Sequence, residues 1–460
     1  MLIFSVSLML CSVLAEDPRS QAQSTTAPKF NLDRQTIRII SEIQASSIEQ
    51  TIRKLVSFGT RNTLSEQDNQ QRGIGAARDW LYEEFQKAAH DSGGRMTVEK
   101  QSFVQPKAER IPTPTMVTNI VATLKGTQPE SQNRLYVVSG HYDSMCGRAT
   151  DAQCDAPGAN DDASGTAAVL EIARVMAKYP FEATIIFMAV AGEEQGLLGS
   201  IYFAEQARKR NLNIEAMLTN DIIGNTLGGN GVRDTRTLRV FSEGVPSNET
   251  DSEARTRRSI GGENDSPSRQ LARFIQEVSP RYVTGIDIAM IYRRDRYGRG
   301  GDHVPFLERG YAAVRLTEAN EDFRHQHQNV RVENGIQYGD LPEFVDFAYV
   351  TRIARVNAAI LATLASAPAK PSNVGILVRV SDDTDLQWDE NKEPDLAGYE
   401  IVWRETTAPA WTHLRWVGKV TRFTMRRLSK DNYFFGVRAV DSAGNRSQVS
   451  YPQPISGGRR

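Results

Sequence analysis

Apolar residues follow two different periods along the first 365 residues of the chain. Runs that are apolar, or that alternate with polar residues, predict strands over residues 96–104, 117–124, 135–139, 183–190, 216–223 and 311–317. Apolar side chains that recur every three or four positions predict helices over residues 33–55, 73–89, 163–178, 197–208, 268–278 and 341–364. Strands that alternate with helices predict βαβ units, and therefore an α/β fold with a mixed, mainly parallel sheet flanked by helices.

The pattern changes after residue 365. Residues 366–371 read SAPAKP and predict a short linker. Residues 372–455 alternate over short segments separated by turn residues, which predicts a C-terminal all-β sandwich. Its GY pair at 398–399 and its run at 437–445 resemble a fibronectin type III module. We expect this module to be separable from the rest of the chain, and its own partner is unknown.

The N-terminus differs from both regions. Residues 1–15 are apolar and end in small residues, which is typical of a secretory signal peptide, although a poorly ordered apolar N-terminus is the alternative. Residues 16–33 are polar and predict a flexible leader. The apolar run is too short to span a bilayer. The sequence therefore predicts a secreted or periplasmic protein with no stable membrane span.

Charge and cysteine content bear on the expected partners of the protein and on its disulfide bonds. The 55 basic and 56 acidic residues give a net charge of -1, so we expect no general attraction to nucleic acid. Once a signal peptide is removed, Cys146 and Cys154 remain, and an oxidising compartment predicts a disulfide between them. The alternative, a pair of thiolate metal ligands, is disfavoured because the C-x-x-C spacing is missing.

Metal-binding residue types stand where the predicted strands end. They follow the runs at 135–139 and 183–190 or lie in the acidic loop between them: His141, Asp143, Asp161, Glu193 and Glu194. Ligands of open α/β sheets bind outside the carboxyl ends of the strands. Imidazole nitrogen and carboxylate oxygen are ligands that zinc prefers. The pattern therefore predicts a metal site, in which the consecutive side chains of Glu193 and Glu194 can serve different purposes.

Three motifs, in this order, resemble the M28 family of zinc peptidases. They are HYDS at 141–144, GANDDASG at 158–165 and GEEQGLLGS at 192–200. The resemblance covers roughly residues 35–365, within a predicted peptidase domain of residues 34–365. It implies a central mixed sheet flanked by helices and a catalytic pair of zinc ions.

The resemblance also implies roles for individual residues. His141 and Asp221 would bind one ion, Glu194 and His327 the other, and Asp161 would bridge them. Glu193 would be the general base that takes a proton from the attacking water, with Asp143 as the outer partner of His141. The Asp161–Asp162 peptide bond would be cis.

Other positions match the family less closely. Gln326 stands where the family commonly has a tyrosine that stabilises the oxyanion, and Tyr292 or Tyr297 is a possible substitute. We favour His327 over His325 as the last ligand because the residues after it fit the family's spacing. Asp302 and His303 resemble an Asp-His pair of this family that lies behind the metal ligands and does not itself bind the metal. Residues 225–300 form a long insertion, either a pocket wall or lid or a solvated excursion.

These observations together predict a secreted exopeptidase with two zinc ions, acting on peptides or proteins. An aminopeptidase is the expected type, and a carboxypeptidase or dipeptidase of the same family is the alternative. A glutaminyl cyclase-like transferase with one zinc ion is less consistent with the full ligand set. A non-catalytic receptor-like ectodomain is also less consistent, because every ligand position and the base are filled.

Overall fold

The computed structural model describes residues 32–456, so the predicted signal peptide (1–15) and most of the leader (16–33) lie outside it. Within this range the chain forms helices α1 (Arg34–Glu42), α2 (Ala45–Val56), α3 (Gly73–His90), α4 (Ala163–Met176), α5 (Leu198–Lys209), α6 (Asp251–Ser259), α7 (Pro267–Tyr282), α8 (Val304–Leu307) and α9 (Phe347–Ser366). The large sheet contains β1 (Met96–Gln105), β2 (Thr115–Leu124), β3 (Arg134–His141), β4 (Thr184–Val190), β5 (Asn213–Asn220), β6 (Thr237–Phe241), β7 (Asp287–Ile291) and β8 (Ala313–Glu318).

The large sheet is mixed and mainly parallel, which confirms the predicted fold class. Its strand order is β1-β2-β4-β3-β5-β8-β6-β7. The central strands β4, β3, β5 and β8 are parallel to one another, whereas β1 and β2 join one edge in antiparallel pairings. β6 pairs antiparallel with β8 and parallel with β7. The carboxyl ends of the four central strands therefore meet at one edge of the sheet.

Helices cover both faces of the sheet. Successive side chains of a strand point to opposite faces, and those of β3 belong to two separate apolar clusters. Val138 packs in the larger cluster with α1 to α4, α7 and α9. Val137 packs in the smaller cluster with Phe203 of α5 and Phe306 of α8. The sheet is thus buried on both sides, and its polar residues are confined to the strand ends.

The helix predicted over residues 33–55 is two helices, because the backbone is extended at Ile43 and Gln44. A continuous helix turns about 100° per residue, so Ile43 and Ile48 would lie about 140° apart on it. Both side chains are fully buried, because the break lets each helix direct its own apolar stripe toward the core. The N–H of Gln44 donates to Glu171 Oε1 at 2.8 Å.

The helix predicted over residues 341–364 begins later than expected. Pro342–Phe344 form a 3-10 turn, and Asp346 caps α9 by accepting from the N–H of Tyr349 at 2.9 Å. Within residues 32–456, α9 is the one helix long and apolar enough to cross a membrane, and 78% of that segment is buried inside the fold. Its apolar character is accounted for by its place in the core.

Residues 225–300 supply strands β6 and β7 to the large sheet, which the sequence analysis did not predict. Each strand has five residues, and β7 lies half-buried at the sheet edge, so neither gave a long apolar run. The interpretation of the insertion as a wall, lid or excursion is therefore wrong for its sheet residues. Four of its residues, Arg296, Gly298, Arg299 and Gly300, do line a cleft that is described below.

A hairpin and two further sheets complete the described part of the chain. Their strands are β9 (Arg331–Glu333), β10 (Ile336–Tyr338), β11 (Gly375–Leu377), β12 (Thr384–Gln387), β13 (Leu396–Glu405), β14 (His413–Gly418), β15 (Arg422–Met425), β16 (Tyr433–Asp441) and β17 (Gln453–Ile455). The sheets β15-β12-β11-β17 and β14-β13-β16 enclose one apolar core that includes Trp388, Tyr399 and Phe435. The predicted C-terminal β-sheets are thus present.

The C-terminal β region (residues 375–455) packs on α7 through buried ion pairs. Asp265 lies 2.7 Å from Arg273 of α7 and 2.7 Å from Arg404 of β13, and the three side chains are at most 2% exposed. Trp411 Nε1 donates to Gln270 Oε1 at 3.1 Å. The module that the sequence predicts as separable therefore shares a buried polar interface with the α/β region (residues 34–366).

Candidate metal centre

The parallel strand ends bring the predicted ligands together. His141 ends β3, Asp221 directly follows β5, and Glu194 lies just beyond β4. Asp161 precedes α4, and His327 lies in the loop after β8. Because their carboxyl ends lie at one edge, residues distant in sequence meet where open α/β sheets bind ligands.

Two groups of three side chains share Asp161. His141 Nε2 lies 3.1 Å from Asp161 Oδ1 and 3.9 Å from Asp221 Oδ1. His327 Nε2 lies 2.9 Å from Asp161 Oδ2 and 3.0 Å from Glu194 Oε2. In each group the three potential ligand atoms lie within 4.8 Å of one another. The two oxygens of Asp161 therefore face different groups, which is the arrangement needed to bridge two cations.

Unpaired buried atoms indicate that this cluster is complete only with cations. Glu194 Oε1 and His327 Nε2 are buried and make no hydrogen bond of acceptable geometry, despite the short distances around His327. Burial opposes a charge on His327, but Glu194 and Asp161 raise the pKa of its imidazole to about 11. The site is thus strongly negative. Imidazole nitrogens with carboxylate oxygens fit zinc, and the five residues could hold a pair of such ions.

Asp143 lies behind the cluster and connects its parts. Its carboxylate accepts hydrogen bonds from the backbone N–H of Glu193 at 3.3 Å, that of Glu194 at 3.2 Å, and the hydroxyl of Thr63 at 3.2 Å. Asp143 Oδ1 also lies 3.5 Å from His141 Nδ1. The side chain is fully buried, so Asp143 positions other residues and does not itself face the cleft.

Two more carboxylates fix the loop that carries Asp161. Asp340, which the sequence analysis missed, accepts from the backbone N–H of Asp161 at 2.7 Å. Burial raises the pKa of Asp340 to about 7. Asp162 accepts from the N–H of His141 at 3.0 Å and from that of Gly165 at 2.9 Å, which caps α4. The Asp161–Asp162 peptide bond is cis, as the resemblance implied.

Arg315 is a second neighbour that the sequence analysis missed. Its Nη1 lies 2.7 Å from Asp221 Oδ2, and its side chain is fully buried. Burial opposes the charge of Asp221, but the Arg315 guanidinium lowers the pKa of that carboxyl below its usual range. The sequence did carry a signal, namely one arginine between the apolar residues Val314 and Leu316 of strand β8.

Glu193 lies on the wall of the cleft, beside Glu194. Burial, together with the negative charges of Asp221 and Glu194, raises the pKa of Glu193 well above its usual value. A carboxylate that holds a proton more readily is suited to general acid–base work. The two consecutive glutamates thus have different surroundings, since Glu194 contacts His327.

The loop after β8 resolves the choice between two histidines. His327 reaches the cluster, whereas the ring of His325 stacks on Phe344 at a centroid distance of 3.7 Å. Gln326 Nε2 donates to Asp161 Oδ2 at 2.9 Å. Tyr292 and Tyr297, the suggested substitutes for a tyrosine at 326, are 49% and 88% exposed and are not among the described residues that line the cleft.

Asp302 and His303 are buried, as expected for residues behind the site. Burial raises the pKa of Asp302 to about 7 and lowers that of His303 to about 4. His303 Nε2 hydrogen-bonds the carbonyl oxygen of Arg294 at 2.8 Å, which fixes the ring. The pair is therefore buried beside the centre and belongs to neither ligand group.

An open cleft of about 980 Å³ leads to the centre, and Asp161, Glu193, Glu194, Asp221 and His327 are among its lining residues. The predicted disulfide between Cys146 and Cys154 is confirmed, which excludes these cysteines as thiolate ligands. The loop that the disulfide closes contributes Gly147 and Arg148 to the cleft wall. The centre is thus buried at its base and reachable from solvent on one side.

Comparison with known proteins identifies the family of this chain. Residues 119–346 match peptidase family M28. A probable zinc metalloprotease of Leptosphaeria maculans is 53% identical over 417 residues, which cover 90% of this chain and 96% of that protein. A probable zinc metalloprotease of Pyrenophora teres f. teres is 51% identical, over 92% of this chain and 87% of that protein. The chain therefore belongs to peptidase family M28.

Solved structures support the fold. LapA of Legionella pneumophila superposes with a TM-score of 0.53 at 19% identity, over 75% of this chain and 79% of that one. LapB of the same organism gives a TM-score of 0.53 at 19% identity, over 74% and 76% of the two chains. At this identity the likeness concerns the arrangement of helices and strands.

Proposed function

We propose that the protein is a zinc-dependent exopeptidase that holds two ions. The observation that carries the proposal is the pair of three-residue groups that share Asp161, one with His141 and Asp221 and the other with Glu194 and His327. The names of its fungal relatives, which are probable zinc metalloproteases, support zinc as the metal. When bound, a pair of such ions polarises the scissile carbonyl and acidifies a water molecule.

The residues around the ions have separate tasks in this proposal. Glu193 takes the proton of the attacking water and passes it to the leaving amine, because it faces the cleft and its pKa is raised. Asp143 holds the backbone of Glu193 and Glu194 and the ring of His141. Arg315 and Gln326 hold Asp221 and Asp161 in place. None of these tasks requires the C-terminal β region.

Within this class we propose an aminopeptidase. One solved Legionella relative of the fold is described as an aminopeptidase, and the open cleft admits a chain end. A carboxypeptidase or dipeptidase would use the same centre. The deciding experiment supplies zinc and compares peptides that are free, blocked at the N-terminus or blocked at the C-terminus. An aminopeptidase should cleave free and C-blocked peptides, whereas cleavage of the N-blocked peptides alone would contradict the assignment.

We further propose that the protein is secreted or periplasmic and that its C-terminal β region is a fibronectin type III-like module. The disulfide between Cys146 and Cys154 supports an oxidising compartment. Two sheets around one apolar core support the module. Expression with the full N-terminus should give a mature protein that begins near Glu16 outside the cytoplasm. An intact N-terminus on a cytoplasmic product would contradict export.

A further inference from the structure

Four arginines, here called the arginine cluster, line the cleft beside the metal centre: Arg110, Arg148, Arg296 and Arg299. Apart from the carboxylates of the centre itself, the acidic residue that lines the cleft is Glu109. The residues that a substrate meets on its way to the centre are therefore predominantly cationic. Neighbouring carboxylates neutralise part of the positive charge of these arginines. The positive charge that remains decides whether the cluster can bind an anionic group of a substrate.

Arg110 stands next to the centre. Its Nη1 donates to the backbone carbonyl oxygen of the ligand Glu194 at 2.9 Å. The side chain is exposed, and no carboxylate of the described residues lies within 4.0 Å of it. A carbonyl oxygen orients a guanidinium but does not cancel its charge. Arg110 therefore presents an uncompensated positive charge at a fixed distance from Glu194.

Arg296 and Arg299 lie on the other wall and compete for one carboxylate. Glu321 Oε2 lies 3.3 Å from Arg296 Nη1 and 2.9 Å from Arg299 Nη1, and Glu321 Oε1 lies 3.2 Å from Arg239. One negative charge thus serves three guanidinium groups. Arg296 also pairs with Asp295 at 3.1 Å, but that carboxylate lies 3.7 Å from Arg315 as well. This wall keeps an excess of positive charge.

Arg148 adds an exposed charge to the cleft wall. Its side chain is 81% exposed and lies 3.8 Å from Asp151, a distance at which an exposed pair is weak. The disulfide of Cys146 ties down the loop that carries it. The disulfide therefore restrains the backbone near Arg148, and its guanidinium is open to solvent and only weakly paired.

The metal ions do not remove this excess. The centre contributes the four carboxylates of Asp161, Glu193, Glu194 and Asp221, and two divalent cations would balance these four charges. The arginine cluster then sets the sign of the potential in the cleft. Clefts lined by one sign of charge concentrate ligands of the opposite sign, and guanidinium groups bind carboxylates in a directed, often bidentate manner.

We propose that the cleft selects peptides that carry a carboxylate close to the scissile bond, and that the arginine cluster binds this carboxylate. This rests on the proposed peptidase function and adds its substrate class. The carboxylate has two possible sources, an Asp or Glu side chain or the terminal carboxylate of a very short peptide. The chemistry of recognition is the same for both, and the substrates below separate them.

The test measures kcat/KM of the zinc-loaded protein on three matched pairs. Gln-Ala-amide against Glu-Ala-amide places the charge before the bond, and Ala-Gln-amide against Ala-Glu-amide places it after the bond. Ala-Ala-amide against Ala-Ala adds a terminal carboxylate. We expect the charged member of at least one pair to be favoured about tenfold at low salt, with a smaller ratio at high salt because exposed charges are screened. Equal rates within all three pairs would overturn the inference.

Variants connect the preference to the cluster. Arg299→Gln and Arg148→Gln should each lower the charged-to-neutral ratio at least about threefold, since each removes one cation from the wall. Arg293→Gln is the matched control, because Arg293 is exposed in the same segment, stacks over Tyr297 and does not line the cleft. Unchanged ratios in both cleft variants, with melting temperature and zinc content preserved, would overturn the assignment to these arginines.

A binding measurement keeps this inference distinct from the proposed function. Titration of Glu193→Gln, loaded with zinc, with the same amides measures recognition without turnover. Tighter binding of the charged amides supports the arginine cluster even if the native protein hydrolyses none of the peptides, which would contradict the peptidase proposal alone. If charged and neutral amides bind equally and both are measurably hydrolysed, the proposed peptidase function stands and the proposed selectivity for carboxylates is contradicted.

Discussion

Two clusters of buried charged side chains in this molecule differ in whether the protein itself supplies partners for them. At the metal centre, Glu194 Oε1 and His327 Nε2 are buried without a hydrogen bond. At the interface between the α/β and C-terminal β regions, both oxygens of Asp265 are occupied, one by Arg273 and the other by Arg404. The first cluster has more carboxylates than the protein itself neutralises, whereas the carboxylate of the second has its partners in the same chain.

The difference separates a site for a ligand from a structural contact. Burying a charge without a partner is expensive, so a fold keeps such groups where something else pairs them. The buried carboxylate of Asp265 finds its counter-charges, Arg273 and Arg404, within the protein, and we expect this cluster to contribute to stability and domain arrangement. The metal centre is incomplete in the protein alone, and we expect its residues to matter for metal content and activity before stability.

The largest effect should follow from removing the shared ligand. Asp161→Ala should lose both zinc ions together and reduce peptidase activity to background, because Asp161 faces both ligand groups. Metal analysis after dialysis measures the loss. Asp221→Ala serves as the comparison, since it belongs to one group and should lose one ion first. An Asp161→Ala protein that keeps one ion at native affinity would show that the two groups are independent.

The next effect concerns turnover without metal loss. Glu193→Gln keeps the shape of the side chain and removes its basicity, so kcat should fall by about 10² to 10⁴ while zinc content and substrate affinity persist. Glu194→Gln is the matched control and should weaken metal binding first, because Glu194 contacts His327. If Glu193→Gln loses zinc and Glu194→Gln retains it, the two assignments are reversed.

At the interface the expected effect is on stability. Asp265→Asn leaves Arg273 and Arg404 buried without their counter-charge, which should lower the free energy of unfolding by about 3–5 kcal/mol. Zinc content of the folded protein should stay native. Asp287→Asn is the control, because its pair with Arg236 is about 60% exposed and a solvent-exposed pair contributes little to stability. Equal costs for both variants, measured by chemical denaturation, would refute the distinction.

The smallest effect is expected at the disulfide. Cys146→Ser with Cys154→Ser opens a loop with a sequence separation of 8 residues, for which chain entropy gives about 2–3 kcal/mol. Melting curves of the variant and of wild type, each with and without reductant, measure this value. Reductant should lower the melting temperature of wild type alone. A variant as stable as oxidised wild type would mean that the loop is ordered without its bridge.

Much of the fold was readable from the sequence, because buried strands and amphipathic helices have different periods. The runs that became β3, β4 and β5 are apolar on both faces, and their polar ends marked His141, Glu194 and Asp221. β6 and β7 were missed, since five-residue strands near a sheet edge carry too few buried positions. The break between α1 and α2 was missed because each half retains a helical period.

The interface between the two regions shows what local pattern does not encode. The linker and the change of period predicted a separable C-terminal module. Asp265 and Arg404 are 139 positions apart in sequence, and only the packing of β13 against the segment that precedes α7 makes them partners. We therefore expect a chain that ends near Ser366 to have a lower free energy of unfolding than the same region has in the full chain. The reason is that the buried carboxylate of Asp265 would lose its partner Arg404.

The sequence by itself determined which residue types stand at the ends of the central strands, and with them the kind of chemistry this chain can perform. Only the tertiary structure placed His327, and not His325, against Asp161, and it alone placed Arg315 against Asp221 and Asp340 against the backbone of Asp161. The physical reason is distance. Period and spacing report neighbours a few positions apart, whereas a metal centre is defined by atoms within a few ångströms that come from five separate segments.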